Sequence, residues 1–193
     1  MTPARLFVAA WVIWALSWLA AALWSGRTER RAAVADVWLY RAVILAGAVL
    51  LFHRTSEALG ADRIWHVGYD GAYVLAGVAI AGFLFAWWAR LHLGRLWSGA
   101  VTRKEGHRVV DTGPYGIVRH PIYTGLILAT LGTAVAEATV PALSGLVLIT
   151  LGLWLKARLE ERFLTAELGE EAYGAYRRRV PMLLPLGPVA RAR

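Results

Sequence analysis

The chain alternates between long apolar runs and short charged stretches. Residues 6–24 form an apolar run of 19 residues in which Ser17 is the only polar side chain, and a charged stretch at residues 25–36 follows. At 1.5 Å per residue, such a run crosses a hydrocarbon core of about 30 Å as a helix. It ends in Leu23-Trp24 and an arginine cluster rather than a small-residue cleavage site, so it reads as a retained first crossing. Residues 37–52 form a second run, with Arg41 near its start and able to reach back to the preceding loop. Residues 71–89 form a third, again 19 residues without a charge, leaving through Trp87-Trp88-Ala89-Arg90 as an interfacial anchor.

Two shorter runs, residues 122–136 and 140–155, come next, separated by Glu137-Ala138-Thr139. As helices they span only about 23 Å each, which predicts a tight hairpin, with Gly125, Ala129, Gly132, Gly145 and Gly152 at its seam. Residues 156–179 mix charges with Leu159, Phe163, Leu164, Tyr173 and Tyr176 and predict amphipathic helix at the membrane surface, broken at Gly169. The fold class expected is therefore an all-α integral membrane protein. It has about five transmembrane helices, a short helical hairpin and an amphipathic C-terminal cytoplasmic helix. All 193 residues are read as one domain, with two N-terminal helices in residues 1–68 and a core in residues 69–185.

Composition agrees with this reading: 58% of residues are hydrophobic and mean hydropathy is +0.50. Without cysteine there is no thiolate nucleophile and no Cys-based metal site. The net charge of +8 belongs to the loops. If the first loop, the third loop and the tail lie on one side, they hold 17 of the 21 Lys and Arg, counted as 3, 6 and 8. The positive-inside rule then puts the N-terminus outside and the C-terminus in the cytoplasm, with the inner (plasma) membrane as the expected location. No nucleic-acid partner is expected. Trp11, Trp14 and Trp18 share one helix face, which is read as packing.

The densest polar, ring-bearing segment is Gly113-Pro114-Tyr115-Gly116-Ile117-Val118-Arg119-His120-Pro121-Ile122-Tyr123-Thr124-Gly125. Gly-Pro enforces a turn, and Pro121 suits the first turn of a helix, so Arg119 and His120 fall at a helix entrance. With five alternating crossings this entrance meets the charged end of the last crossing, where Lys156 and Glu160 are one helical turn apart. A carboxylate for a cationic ligand, a lysine for an anionic acceptor and a histidine would share one pocket at the bilayer surface. Taken alone, Glu160-Glu161-Arg162 reads as an ordinary solvated face. No His-x-x-x-His or Glu-x-x-His pair is present, so no metal site is expected, and no Gly-x-Gly-x-x-Gly or Gly-x-Ser-x-Gly motif occurs.

In order and spacing, Gly113-Pro114-Tyr115, Arg119 to Gly125, Glu160-Glu161, Gly169-Glu170-Glu171-Ala172-Tyr173 and Tyr176 to Pro181 resemble the isoprenylcysteine carboxyl methyltransferase family. That family is itself similar to the membrane phospholipid methyltransferases. The resemblance covers roughly residues 90–185. It implies methyl transfer from S-adenosyl-L-methionine to a lipophilic small-molecule or lipid acceptor that enters from the bilayer between the third crossing and the hairpin. The accepting group is left open among carboxylate, phenol, thiol and amine.

It further implies that the cofactor is held by His107, Arg108, Val109, Val110, Tyr115, His120, Pro121, Ile122, Tyr123 and Glu160, with Lys156, Glu160, Glu161 and Arg119 as catalytic candidates. Glu161 or His120 would serve as base where the acceptor must lose a proton. In the eukaryotic enzymes an arginine stands where this chain has Lys156, so the charge is kept while the bidentate fork is lost. Two other readings stay open: an NADPH-dependent membrane reductase of the sterol-reductase type, and a non-catalytic membrane scaffold or small transporter.

Overall fold

A computed structural model describes residues 1–24, 28–31, 34–52, 63–97, 102–104 and 109–186. Among the described residues six α-helices follow in order: α1 (Pro3–Ala22), α2 (Val34–Phe52), α3 (Tyr69–Leu93), α4 (Pro121–Glu137), α5 (Val140–Leu168) and α6 (Glu170–Arg179). Two short strands, β1 (Thr28–Arg31) and β2 (Thr102–Lys104), pair antiparallel with a register shift between Thr28 and Arg30. The protein is a multi-pass membrane protein of the all-α class, its two short strands lying in the connections between helices. Three helical stretches, Pro3–Ala22, Tyr69–Leu96 and Val140–Glu167, are long and apolar enough to cross a bilayer, and Val37–Phe52 and Pro121–Glu137 are shorter apolar helices.

Helix ends follow local chemistry. Proline stands in the first turn of α1, α4 and α5, where its missing N–H costs no helical bond. Ala138 takes a left-handed conformation (φ 55°) and ends α4. The Thr139 side chain then accepts from the Ala142 N–H and starts α5. The expected break at Gly169 is present, with φ of 88°, a conformation that β-carbon-bearing residues rarely adopt.

Two expectations about the hairpin are corrected. First, the last crossing is not short, because α5 continues without interruption for 29 residues through Lys156, Glu160 and Glu161. Charged side chains carry ordinary helix propensity, so apolar content marks the depth of a helix and not its end. Second, the small residues do not form the seam between α4 and α5. A Cβ on Gly132 would lie 2.6 Å from the Leu75 carbonyl oxygen, and one on Gly82 would lie 2.8 Å from the Ala129 nitrogen. Thus α4 packs backbone to backbone on α3. A Cβ on Gly145 would lie 2.7 Å from the Gly47 carbonyl oxygen, and one on Gly152 would lie 3.1 Å from the Ile44 nitrogen, so α5 packs on α2. Helices adjacent in sequence each use their small-residue face on an older partner, making two antiparallel pairs, α3 with α4 and α2 with α5.

Aromatic side chains fill the space beside these pairs. Trp11 meets Phe83 and Phe52 edge-on at 4.8 and 5.0 Å, Trp14 stacks on Phe83, and Trp18 meets Trp87 and Trp97. The tryptophan face of α1 is packing, as expected. Arg90 departs from its expected role at the interface: it is fully buried. Its guanidinium donates to the carbonyls of Gly94, Ala21 and Trp24 and lies 4.4 Å from the centre of the Trp97 ring. Those carbonyls belong to the last turns and exits of α1 and α3, where helical acceptors lack partners. Arg90 therefore joins the two helix ends, close to the polar site.

Candidate functional site

The N-terminus of α4 and the charged half of α5 meet at one end of the bundle. His120 precedes Pro121 at the entrance of α4, and its ring lies parallel to that of Tyr123, centroids 5.4 Å apart and planes within 3°. Both rings face two consecutive carboxylates on α5. The Tyr123 hydroxyl donates to Glu160 Oε1 at 2.6 Å, and His120 Nδ1 is 3.6 Å from Glu160 Oε2. His120 Nε2 is 3.2 Å from Glu161 Oε1. Lys156 Nζ lies 3.9 Å from Glu160 Oε1 and 5.1 Å from the centre of the Tyr123 ring. One histidine thus bridges both carboxylates, and a tyrosine and a lysine turn the first of them inward.

Glu161 belongs to a second network. Arg119 Nε donates to its Oε1 at 2.6 Å, and Arg177 Nε lies 3.4 Å from its Oε2. The Arg119 guanidinium also donates to the carbonyls of Arg177, at 3.0 Å, and Val180, which satisfies the open end of α6. Beyond α6 the chain turns back as a strap. The Arg119 and His120 N–H groups donate to the Pro181 and Met182 carbonyls at 2.8 and 3.1 Å, and Thr124 Oγ1 donates to the Leu183 carbonyl at 2.7 Å. The Tyr176 hydroxyl closes the far side by donating to the Tyr115 carbonyl at 2.8 Å. Burial pushes the Tyr115, Tyr173 and Tyr176 hydroxyls above the ordinary tyrosine range, so all three stay protonated across the physiological range.

Of the residues singled out in the sequence, Tyr115, Arg119, His120, Pro121, Ile122, Tyr123, Lys156, Glu160 and Glu161 gather at this end. Val109 packs on the Tyr173, Tyr176 and Val180 cluster, and Val110 packs on the main core. His107 and Arg108 lie outside the described residues. Glu161 is only 3% exposed, so it is no solvated helix face. Among the described residues, no three His, Asp or Glu side chains form a metal-holding group. Sequence reasoning missed the buried role of Arg90, which sits at the end of an apolar run, and missed Arg177, which sits within a run of arginines where no spacing signal distinguishes it.

Burial alone would lower the His120 pKa, but its hydrogen bonds to Glu160 and Glu161 and their negative charges outweigh this and raise it above the ordinary histidine value of 6.5. A raised folded-state value means that the stabilisation is fully present below the unfolded pKa and is lost as pH rises through the folded one. The midpoint of thermal unfolding in detergent is therefore expected to fall as pH increases above about 6.5, and to fall less in His120→Gln. Equal pH slopes for the two proteins would refute the assignment.

These features define a class: a multi-pass helical membrane protein with a closed, charged cup at one end of the bundle, built from the entrance of one helix and the charged extension of the next. Residues 75–166, from within α3 to near the end of α5, are matched by the isoprenylcysteine carboxyl methyltransferase family. This segment is similar to that family over 92 residues. The match begins earlier in α3 than the motifs alone indicate and stops before α6.

Similar proteins include the cobalt-zinc-cadmium resistance protein CzcN of Cupriavidus metallidurans, 29% identical over 123 residues. The protein-S-isoprenylcysteine O-methyltransferase of Schizosaccharomyces pombe is 33% identical over 93 residues, and the B enzyme of Arabidopsis thaliana is 31% identical over 86. These alignments take in 62, 46 and 44% of this chain, and the chain spans 55, 38 and 43% of the respective relatives.

Proposed function

We propose that the protein is an integral membrane methyltransferase that moves a methyl group from S-adenosyl-L-methionine to a lipophilic acceptor entering from the bilayer. The observation that carries this reading is the convergence of His120, Tyr123 and Glu160 at the polar end of the family-matched segment. The chemistry of this donor set fits the cofactor. Glu160 suits its positive sulfonium and amino groups, and the ring faces and apolar side chains of Tyr115, Pro121, Ile122, Val109 and Val110 suit its flat base. His107 and Arg108 complete the set that family resemblance implies.

S-adenosyl-L-methionine, held by Glu160 and the ring-bearing residues around it, would supply a methyl group already activated by its positive sulfur. The chain's own work is positioning and electrostatics. Tyr123 and His120 fix the Glu160 carboxylate in one orientation. Lys156 presents positive charge to Oε1 of that carboxylate while His120 faces Oε2. Arg119 and Glu161, closed in their own network with α6, act as positioning residues that hold the entrance of α4 against α5. Cation distribution supports an N-terminus outside and a C-terminus in the cytoplasm of the inner membrane, with the cup on the cytoplasmic side. Calorimetry of the detergent-solubilised full chain with S-adenosylhomocysteine is expected to show saturable binding. Absence of heat or thermal shift at millimolar ligand would reject the reading.

A further inference from the structure

The contacts that run from Glu160 through His120 and Glu161 to Arg119 end at a second concavity, apart from the cup. It has a volume of about 280 Å³ and is lined by Arg119, Glu170, Gly174, Arg177 and Arg178, so α6 forms its wall and the entrance of α4 its inner end. Tyr115, His120 and Tyr123 take no part in the lining. Glycine inside a helix lowers its stability, yet residue 174 is glycine, and a Cβ there would lie 2.7 Å from Glu170 Oε1 and 3.5 Å from a terminal nitrogen of Arg178. The missing side chain keeps the floor of the cavity open.

Arg119 is the buried charge in this cavity. Its side chain is 10% exposed, its Nε serves Glu161 and one terminal nitrogen serves the carbonyls of Arg177 and Val180. The other terminal nitrogen has no partner among the described residues. Arg177 gives its Nε to Glu161 at 3.4 Å, and Arg177, Arg178 and Glu170 are exposed at the rim. Three guanidiniums therefore meet two carboxylates, Glu161 behind Arg119 and Glu170 at the side. One positive charge is left over, together with donors from three forks.

We propose that this cavity binds a phosphate group, with Arg119 at its inner end and Arg177 and Arg178 at its mouth. A guanidinium fork matches two phosphate oxygens, and a tetrahedral oxyanion offers a further oxygen to a third fork, which a planar carboxylate lacks. A cation is repelled by the same groups. The headgroup of an anionic lipid and free phosphate share this chemistry, and α6, read as a helix at the membrane surface, holds its arginines where headgroups lie. Because Arg119 also holds the end of α6, an occupant ties that helix to the entrance of α4. The site goes beyond the methyltransferase reading and does not rest on it.

The test is calorimetry of the full chain in detergent with three probes: inorganic phosphate, dihexanoylphosphatidic acid and dihexanoylglycerol, which lacks the phosphate. Saturable binding of either phosphate probe is expected, the tighter one identifying the source, and none of dihexanoylglycerol. Arg178→Gln should weaken the binding about 10-fold, and Glu170→Gln, which removes the carboxylate beside the anion, should tighten it roughly threefold. Both side chains are exposed, so the unfolding temperature without ligand and the Kd for S-adenosylhomocysteine should stay close to wild type. Arg95→Gln, an exposed position outside the cavity, controls for general attraction to a basic chain and should bind phosphate as wild type does. No saturable binding of either phosphate probe, equal binding of dihexanoylglycerol, affinity unmoved by the Arg178 and Glu170 variants, or an equal loss in Arg95→Gln overturns the proposal. Failure of the wild type to bind S-adenosylhomocysteine speaks against the methyltransferase reading and leaves this site untouched.

Discussion

Glu160→Gln is expected to weaken S-adenosylhomocysteine binding about 10- to 100-fold while leaving the protein folded. The carboxylate accepts from the Tyr123 hydroxyl at 2.6 Å and faces His120 Nδ1 at 3.6 Å and Lys156 Nζ at 3.9 Å. A glutamine of the same shape can still accept from Tyr123, so the packing survives. What it lacks is the negative charge that a cationic ligand group needs in a site shielded from water, where charge-assisted hydrogen bonds are about twice as strong as neutral ones. The substitution also leaves Lys156 and His120 facing a neutral group, which adds to the repulsion felt by a positive ligand. Calorimetry gives the affinity, and the unfolding temperature separates lost binding from lost structure. Unchanged affinity would remove Glu160 from the cofactor site and with it the central residue of the proposed function.

Much of this site was legible in the sequence because its residues obey local rules. Pro121 marks a helix start, so His120 and Arg119 had to stand at an entrance, and Gly169 marked the end of the charged helix. The apolar runs gave the helices, since burial in lipid imposes length and composition directly. Pairing between helices was a different matter. Gly125 and Gly145 look alike in sequence, yet one meets α3 and the other α2, and small-residue spacing carries no record of its partner. Arg90 misled for a related reason. A cation beside tryptophans at the end of an apolar run usually reaches for the headgroups, and only the tertiary arrangement shows three carbonyls and two indole rings closing around it. The burial of Tyr40 was invisible because a tyrosine near a helix start is common in membranes, and its hydroxyl, without a hydrogen-bond partner among the described residues, is seen to be enclosed only in three dimensions.

Glu161 carries the second large effect, and it acts on architecture rather than on binding. Its carboxylate is the common acceptor for Arg119 at 2.6 Å, His120 at 3.2 Å and Arg177 at 3.4 Å. Glu161→Leu leaves the Arg119 guanidinium beside His120 without its carboxylate, where the Arg119 side chain is only 10% exposed. Removing one partner from a buried ion pair costs about 3–5 kcal/mol, because the remaining charge stays dehydrated and uncompensated. The damage should be local at first. Arg119 also holds the carbonyls of Arg177 and Val180, so its displacement frees α6, and the backbone bonds of residues 119 and 120 to the strap at Pro181 and Met182 go with it. The apolar helix pairs are held by backbone contact and should persist. Limited proteolysis should therefore release residues after Gly169 from Glu161→Leu while the membrane-embedded part stays intact, with hydrogen exchange rising through α6. A variant as protease-resistant as wild type would show that the strap is held by its backbone bonds alone and that Glu161 is free to serve in chemistry.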